Sequence, residues 1–301
     1  MLPAPAPTVS VSHTNLRPGL ELARLLAEAT RVDGHPPFGE HVLLTLDGRR
    51  QQEHAAIAAP GDDGLDGFCV LSRTPTAWYA DLVTAPAVRD RGIGTRLLTA
   101  ARDHAASHGR GMFRAWAHSD GAPDALAAKL GMTVARSVSY QRRALSDVPQ
   151  LCAPSGTRLR TLRPDESAAW LALSNSAFDG HPENGGWVPD DLAWRLAAPW
   201  SDLARFIVLA DAHTDQMLAG VWTKVEPGST EGELYVVAVH PDHTGTGLGK
   251  VVVAEALQVL GEQGLATASL YVDGTNQPAV ALYTAAGFVE QHVDRCFATI
   301  L

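Results

Sequence analysis

Apolar residues recur at helical spacing over residues 18–30, as Leu20, Leu22, Leu25, Leu26 and Ala29. Val42 to Leu46, closed by Asp47-Gly48, reads as a strand ending in a turn. Further strands are expected at 51–58, 66–72 and 77–84, then a helix at 92–108, a strand at 112–117, a helix at 122–130 and a strand at 133–143. The second half repeats that order. Helices are expected at 164–177 and 189–197, strands at 205–211, 216–224 and 232–239, a helix at 247–263, a strand at 267–272, a helix at 278–286 and a strand at 288–299.

Shared strings show why the order repeats. Arg89-Asp90-Arg91-Gly92-Ile93-Gly94 and Thr244-Gly245-Thr246-Gly247-Leu248-Gly249 each follow an expected strand and open an amphipathic run, with Gly92 and Gly247 155 residues apart. Gly131-Met132 is answered by Gly287-Phe288 at an offset of 156. Leu16-Arg17-Pro18 matches Leu162-Arg163-Pro164, and Asp33-Gly34-His35-Pro36 matches Asp179-Gly180-His181-Pro182, both at 146. Four matches in one order imply a duplicated domain, and 301 residues are enough for two separate cores. Ser146 to Thr157, with Pro149, Pro154 and Gly156, reads as the linker, which gives domains of 1–151 and 152–301. Asp-Gly-His-Pro is read as a turn after each half's first helix.

Composition removes several classes of function. A net charge of −9 argues against a general nucleic-acid binder, and no apolar run is long enough to span a bilayer. Met1 to Pro7 lacks the basic start of a secretory signal and reads as a flexible lead-in. Cys69, Cys152 and Cys296 are odd in number without a CxxC spacing, so a reducing cytoplasm is expected, and Cys152 and Cys296 are taken as incidental. The twelve histidines show no ligand spacing, and no metal is expected. Five of seven tryptophans (Trp170, Trp187, Trp194, Trp200, Trp222) lie in the second half, where packing is the default and sugar stacking the sharper reading. Arg89, Arg91 and Arg96 form either an anion-binding cluster or a solvated helix start.

A glycine turn entering a helix is suited to an anion, because the first N–H groups of a helix lack partners and glycine lets the ligand approach. A dinucleotide-binding Rossmann unit would need a third glycine and a loop after the first strand of a parallel sheet; here several strands precede each loop. The order and the loops instead resemble the GNAT acetyltransferase superfamily, whose signature is R/Q-x-x-G-x-G/A. Residues 89–94 match it fully, whereas Thr244 replaces the usual Arg or Gln. Asn276-Gln277-Pro278-Ala279-Val280-Ala281-Leu282-Tyr283 and Ala286-Gly287-Phe288 are similar to the superfamily's N-x-x-A-x-x-x-Y-x-x-x-G-F element.

The resemblance implies an α/β fold of two tandem GNAT domains, each a mixed sheet with two splayed central strands, and acetyl-CoA as co-substrate. Its contacts would come from Val237-Ala238-Val239, Thr244-Gly245-Thr246-Gly247-Leu248-Gly249-Lys250 and Asn276 to Ala281, and in the first copy from Leu82-Val83-Thr84 and Asp90-Arg91-Gly92-Ile93-Gly94-Thr95. Acetyl transfer to an amine needs one proton removed from nitrogen and one given to the leaving thiolate. Fourteen residues before Gly247 stands Glu233, a candidate base, and four before Gly287 stands Tyr283, a candidate acid. The same counts reach Trp78 and Ala127 in the first copy, and Asn276 becomes Asp120. The second domain is therefore expected to be catalytic and the first not.

His181-Pro182-Glu183, Gly185-Gly186-Trp187, Trp222-Thr223-Lys224, Glu233-Leu234-Tyr235-Val236-Val237, Leu270-Tyr271-Val272 and Ile93-Gly94-Thr95 are similar to a two-domain branch of the superfamily whose acceptor is a cysteinyl glucosaminyl-inositol. That likeness implies substrate contacts from Glu40, Glu183, Lys224, Glu233 and Tyr271, direct transfer without an acyl-enzyme, and a monomer with only small-molecule partners. From the residues alone, Glu40 reads as an exposed strand-edge carboxylate. Other readings are a tandem GNAT enzyme for a different amine, such as an aminoglycoside or an aminoacyl group, and a non-catalytic acyl-CoA sensor.

Overall fold

The computed structural model describes residues 10–12, 19–46, 53–118, 121–181 and 185–301. Its first part comprises β1 (Ser10–Ser12), α1 (Leu20–Asp33), α2 (Glu40–Leu46), β2 (His54–Gly61), β3 (Gly64–Arg73), β4 (Ala77–Thr84), α3 (Ile93–Ser107), β5 (Met112–Ala117), α4 (Ala122–Lys129) and β6 (Thr133–Ala144). There follow β7 (Thr157–Thr161), α5 (Ser167–Ala177), α6 (Pro189–Leu196), β8 (Phe206–Asp211), β9 (Met217–Lys224), β10 (Glu231–Val239), α7 (Leu248–Glu262), β11 (Thr267–Asp273), α8 (Gln277–Ala285) and β12 (Val289–Ile300).

These elements form two compact units: Met1–Ser137 with Asp294–Leu301, and Val138–Val293. The division differs from a boundary at residue 152 because strand pairing, not the proline-containing linker, decides membership. Within the first unit β1, β2, β3 and β4 pair antiparallel, β4 and β5 pair parallel, and Arg295–Ile300 close the sheet against Ala117–Met112. Within the second, β7, β8, β9 and β10 pair antiparallel, β10 and β11 pair parallel, and Val138–Ala144 close the sheet against Asp273–Thr267. Parallel neighbours need a crossover, supplied by α3 in one unit and α7 in the other.

Each sheet is covered on both faces. In the first unit Leu97, Leu98 and Ala101 of α3 pack on Ala80 and Phe113, while Leu22, Leu25 and Ala29 of α1 and Val42 and Leu46 of α2 pack on Phe68 and Val70. In the second, Val252, Leu257 and Leu260 of α7 pack on Leu234 and Leu270, while Trp170, Leu173 and Leu192 of α5 and α6 pack on Trp222, Val236 and Ala238.

The strand expected at Val42–Leu46 is helix α2. A short unbroken apolar run does not distinguish the two states, and burial of Val42 and Leu46, four residues apart, beside Phe38 settles it as helix. Asp47-Gly48 and the lead-in Met1–Pro7 lie outside the described residues. Strand β7 was not foreseen, because Arg158 and Arg160 flank its single aliphatic residue, Leu159. The Asp-Gly-His-Pro turn is present after α1, where Gly34 is left-handed (φ 79°) and donates its N–H to the Thr30 carbonyl at 2.9 Å.

Candidate active site

The second unit's parallel ladder is short. Glu231, Gly232 and Glu233 pair with Thr267, Ala268 and Ser269, and there the register ends, although β10 continues to Val239 and β11 to Asp273. Beyond that rung the strands leave a cleft whose edges are backbone amide and carbonyl groups, suited to the amides of an extended ligand. Glu233 is the last paired residue before it. A bulge on β10 between Leu234 and Val236 inserts Tyr235 opposite β9. Leu234 packs with α7, whereas Tyr235 packs tilted against Trp200 and edge-on to Trp222, and its hydroxyl accepts from Arg195 Nε of α6 at 2.8 Å. Alternation therefore puts Glu233 on the α5–α6 face.

Two of the expected substrate residues share that face. Lys224 is the cross-strand partner of Glu233, and its Nζ lies 5.5 Å from the Trp200 ring centre and 3.1 Å from Glu226 Oε1. Tyr271 stands two residues beyond Ser269, opposite in facing to the buried Leu270, and is 49% exposed. One flank of its ring is backed by Tyr140, with centroids 4.9 Å apart. Glu40 begins α2 rather than standing at a strand edge, its side chain lying outside the described residues, as does Glu183 altogether.

Below the cleft lies a cluster that sequence reading missed. Glu231 Oε1 accepts from the Tyr140 hydroxyl at 2.7 Å, and its Oε2 pairs with Arg142 Nε at 2.6 Å and accepts from Thr267 Oγ1 at 3.2 Å. Burial pushes the Glu231 pKa up, but the bonds from Tyr140 and Ser269 and the charge of Arg142 outweigh it, and the carboxyl is held below its ordinary value. Burial, together with the bond to Glu231, raises the Tyr140 phenol to about 12. The cluster ties β6, β11 and β10 together at the last rungs before the strands part. Nothing in the local string marks it, since its members come from three strands.

On the opposite face, Tyr283 of α8 is buried with Leu248, Val251 and Val252 of α7, its ring 5.9 Å from Phe288. Burial raises its pKa, so the phenol stays protonated and able to donate. Glu233 and Tyr283 thus reach the parting strands from opposite faces. Gly245 and Gly247 lead into α7 with φ of +79° and +90°, a backbone that favours glycine, and a Cβ on either would meet nothing within 4 Å. The first N–H groups of α7 therefore face an open approach. Asn276 caps α8, its Oδ1 accepting from the Ala279 N–H at 3.2 Å. Of the tryptophans, Trp170, Trp187, Trp200 and Trp222 are buried in the core beneath the Glu233 face, which fits packing.

The first unit repeats the cleft with different chemistry. Its parallel ladder pairs Ala77–Ala80 with Met112–Ala115 and then stops, while β4 runs on to Thr84. No bulge interrupts the β3–β4 register. Counting back from the glycines without allowing for the extra residue in β10 therefore picks the wrong counterpart. Trp78 packs against His104 of α3 and His108 just after it, on the other face, and the rung matching Glu233–Ser269 is Tyr79–Arg114. The Tyr79 hydroxyl accepts from Arg114 Nη1 at 2.8 Å. The base position is thus a tyrosine held by an arginine. The comparison of Asn276 with Asp120 lies outside the described residues.

The first glycine loop borders a cavity of about 490 Å³, lined by Thr84, Gly92, Ile93, Gly94 and Thr95, by the polar Asp33, His35, Arg89, Asp90 and His118, and by Ala115, Ala127, Met132 and Phe297, which pack in one apolar cluster. The three arginines beside it behave differently. Arg89 is committed to Asp33, Nη1 and Nη2 each 2.7 Å from a carboxylate oxygen. Arg91 is exposed. Arg96 keeps Nε and Nη2 buried without a hydrogen-bond partner, with Nη1 3.7 Å from where a Cβ on Gly92 would stand. Unsatisfied cationic donors beside a helix N-terminus fit an anionic ligand. Among the described residues no group of His, Cys, Asp and Glu could hold a metal, and no helix is long and apolar enough to cross a membrane.

Comparison with known proteins places this geometry. The profile of the acetyltransferase (GNAT) family matches residues 21–132 and 168–288. A mycothiol acetyltransferase of Mycobacteroides abscessus is 39% identical over 290 residues, covering 92% of this chain and 95% of that protein. One from Thermomonospora curvata is 40% identical over 286 residues, covering 92% of each. Among solved structures, a tandem GNAT protein from the clavulanic acid biosynthesis pathway matches with a TM-score of 0.75 at 17% identity, over 97% of this chain and 98% of that one. A GCN5-related N-acetyltransferase from Sphaerobacter thermophilus matches with a TM-score of 0.72 at 18% identity, over 97% and 95%. These two likenesses concern the fold.

Proposed function

The chain belongs to the acetyltransferase (GNAT) family as an N-acetyltransferase with two tandem GNAT domains, and from that premise we propose that its second unit acetylates the cysteinyl amine of a cysteinyl glucosaminyl-inositol, giving mycothiol. The acceptor follows from the sequence resemblance, and the relatives' name, mycothiol acetyltransferase, supports it. The observation that carries the division of labour is the pair of equivalent rungs, Glu233–Ser269 and Tyr79–Arg114: at this rung the second unit has a carboxylate where the first has a tyrosine.

Acetyl-CoA supplies the thioester. The N–H groups of residues 245–250 receive its pyrophosphate at the N-terminus of α7, and the free edge of Val237-Ala238-Val239 pairs with its pantetheine amides. Residues 276–281 at the start of α8 complete the cradle. The substitution by Thr244 leaves this arrangement intact, because main-chain groups do the binding. An α-amine has a reference pKa of about 7.7–8.0, so one carboxylate is base enough near neutral pH. Glu233 takes the amine proton, directly or through a water. A strand N–H near Val237 or Val239 holds the carbonyl oxygen as charge develops there. Tyr283, kept protonated by burial, gives its proton to the departing sulfur from the other face.

Lys224 and Tyr271 flank Glu233 on the face open to the acceptor, and Glu183 extends the set of hydrogen-bonding groups for its hydroxyls. The first unit, with the loop Asp90 to Thr95 and the edge Leu82-Val83-Thr84, holds coenzyme A without reacting. The chain acts as a monomer in the cytoplasm. The test is to supply acetyl-CoA and the cysteinyl glucosaminyl-inositol, and to follow free CoA thiol together with the N-acetylated product. Release of thiol with other amines but not with this one overturns the acceptor. Binding of CoA with no turnover on any amine overturns the enzyme reading in favour of a sensor.

A further inference from the structure

The first unit's cavity carries smaller side chains than the corresponding region of the second at three positions and a less polar one at a fourth. Met132 donates its N–H to the Ala127 carbonyl at 2.9 Å, and Phe288 donates to the Tyr283 carbonyl at 3.0 Å, each just after a left-handed glycine. These shared bonds equate Ala127 with Tyr283 and Met132 with Phe288. The equivalent rungs Tyr79–Arg114 and Glu233–Ser269 make Ala115, one residue on, the counterpart of Leu270. Three positions have thus lost volume, and Ala115, Ala127 and Met132 all border the 490 Å³ cavity.

A fourth position has lost polarity. Leu270 is paired across the sheet with Gln141, which is 5% exposed and has its Oε1 buried without a hydrogen-bond partner. Ala115 is paired with Phe297, which has no polar side-chain atom and lines the cavity. A space between well-packed elements that is apolar on this side excludes polar groups and is stabilised by filling with an apolar one. The positions of Glu233 and Tyr283 are here Tyr79, held by Arg114, and Ala127, so the proposed base and acid of the second unit have no like residue at the matching places.

We propose that the first unit binds, without turning it over, a coenzyme A thioester whose acyl chain is longer than acetyl. The proposal rests on the reading that the Gly92–Gly94 loop receives coenzyme A. The chain occupies the space bounded by Ala115, Ala127, Met132 and Phe297, which in the second unit is reduced by Leu270, Tyr283 and Phe288. Acetyl-CoA therefore suits the second unit and a longer thioester the first.

Calorimetric titration of the whole protein with CoA, acetyl-CoA, butyryl-CoA and hexanoyl-CoA tests this. Two equivalents of CoA per chain are expected, and at one of them affinity should rise with acyl length by up to about fourfold per buried methylene. Ala127→Tyr, which refills the space, should abolish that dependence while two equivalents of CoA still bind. Ala127→Leu should shorten the longest chain accepted, and circular dichroism of both variants checks folding. Affinity independent of acyl length in the parent protein, or a length dependence retained in a folded Ala127→Tyr, overturns the acyl site. A single equivalent of CoA overturns the underlying reading of the loop instead, and the proposal with it.

Discussion

Glu233 and Tyr283 serve different faces of one sheet, and the single extra residue Tyr235 controls which face Glu233 meets. A strand residue's facing alternates, so removing the bulge would turn Glu233 toward α7 and away from Lys224 and Tyr271. Glu233→Gln is expected to lower kcat/KM by about 10²–10⁴-fold, the usual contribution of a general base, while Tyr79→Phe leaves turnover near the parent value. Comparable losses in steady-state assays of the two variants would overturn the assignment of chemistry to one unit. The positions of Glu233 and Tyr283, the proposed base and acid, could be picked from the string because they sit at fixed counts from glycines. The true counterpart of Glu233 was not, since a bulge has no spelling: Tyr235 is as good a strand residue as its neighbours, and only the partner strand reveals that it is supernumerary.

Elements bring these residues to the site, and their joints are fixed by charge as well as by packing. The C-terminal residue of α1, Asp33, holds Arg89 just before α3, which anchors one wall of the first cavity. The Arg89 bond, working against burial, lowers the Asp33 pKa. A depressed carboxylate stabilises the fold fully above its ordinary value of about 4, and the contribution is lost as pH falls through the lower folded value. Asp33→Asn is expected to cost no more than about 1 kcal/mol at pH 7, because the pair is partly exposed. In urea unfolding the difference from the parent should shrink to nothing in strong acid; a difference unchanged with pH would assign the effect to packing. Most elements were legible from periodicity, including both crossover helices. Helix α2 was not, because Val-Leu-Leu-Thr-Leu is apolar on every side and its state depends on what Phe38 and Val70 leave open.

For the whole molecule the informative feature is the ownership of the last strand. Residues 289–293 belong to the second unit and 294–301 to the first, where they hydrogen-bond to β5 and supply Phe297. Deleting residues 294–301 is therefore expected to speed amide hydrogen exchange in β5 while leaving β8 and β9 protected; unchanged protection in β5 would show that the first unit does not depend on that strand. The duplication was legible because motifs repeat locally. The division of β12 was not, since pairing between residues nearly two hundred positions apart leaves no mark on either segment.

That ownership also has a consequence for synthesis. A ribosome releases the first unit's helices early, yet that unit's sheet lacks a strand until the final residues emerge, whereas the second unit has all of its strands once Val293 is out. The half made first is the half completed last, so until then β5 presents an unpaired edge open to the wrong partner.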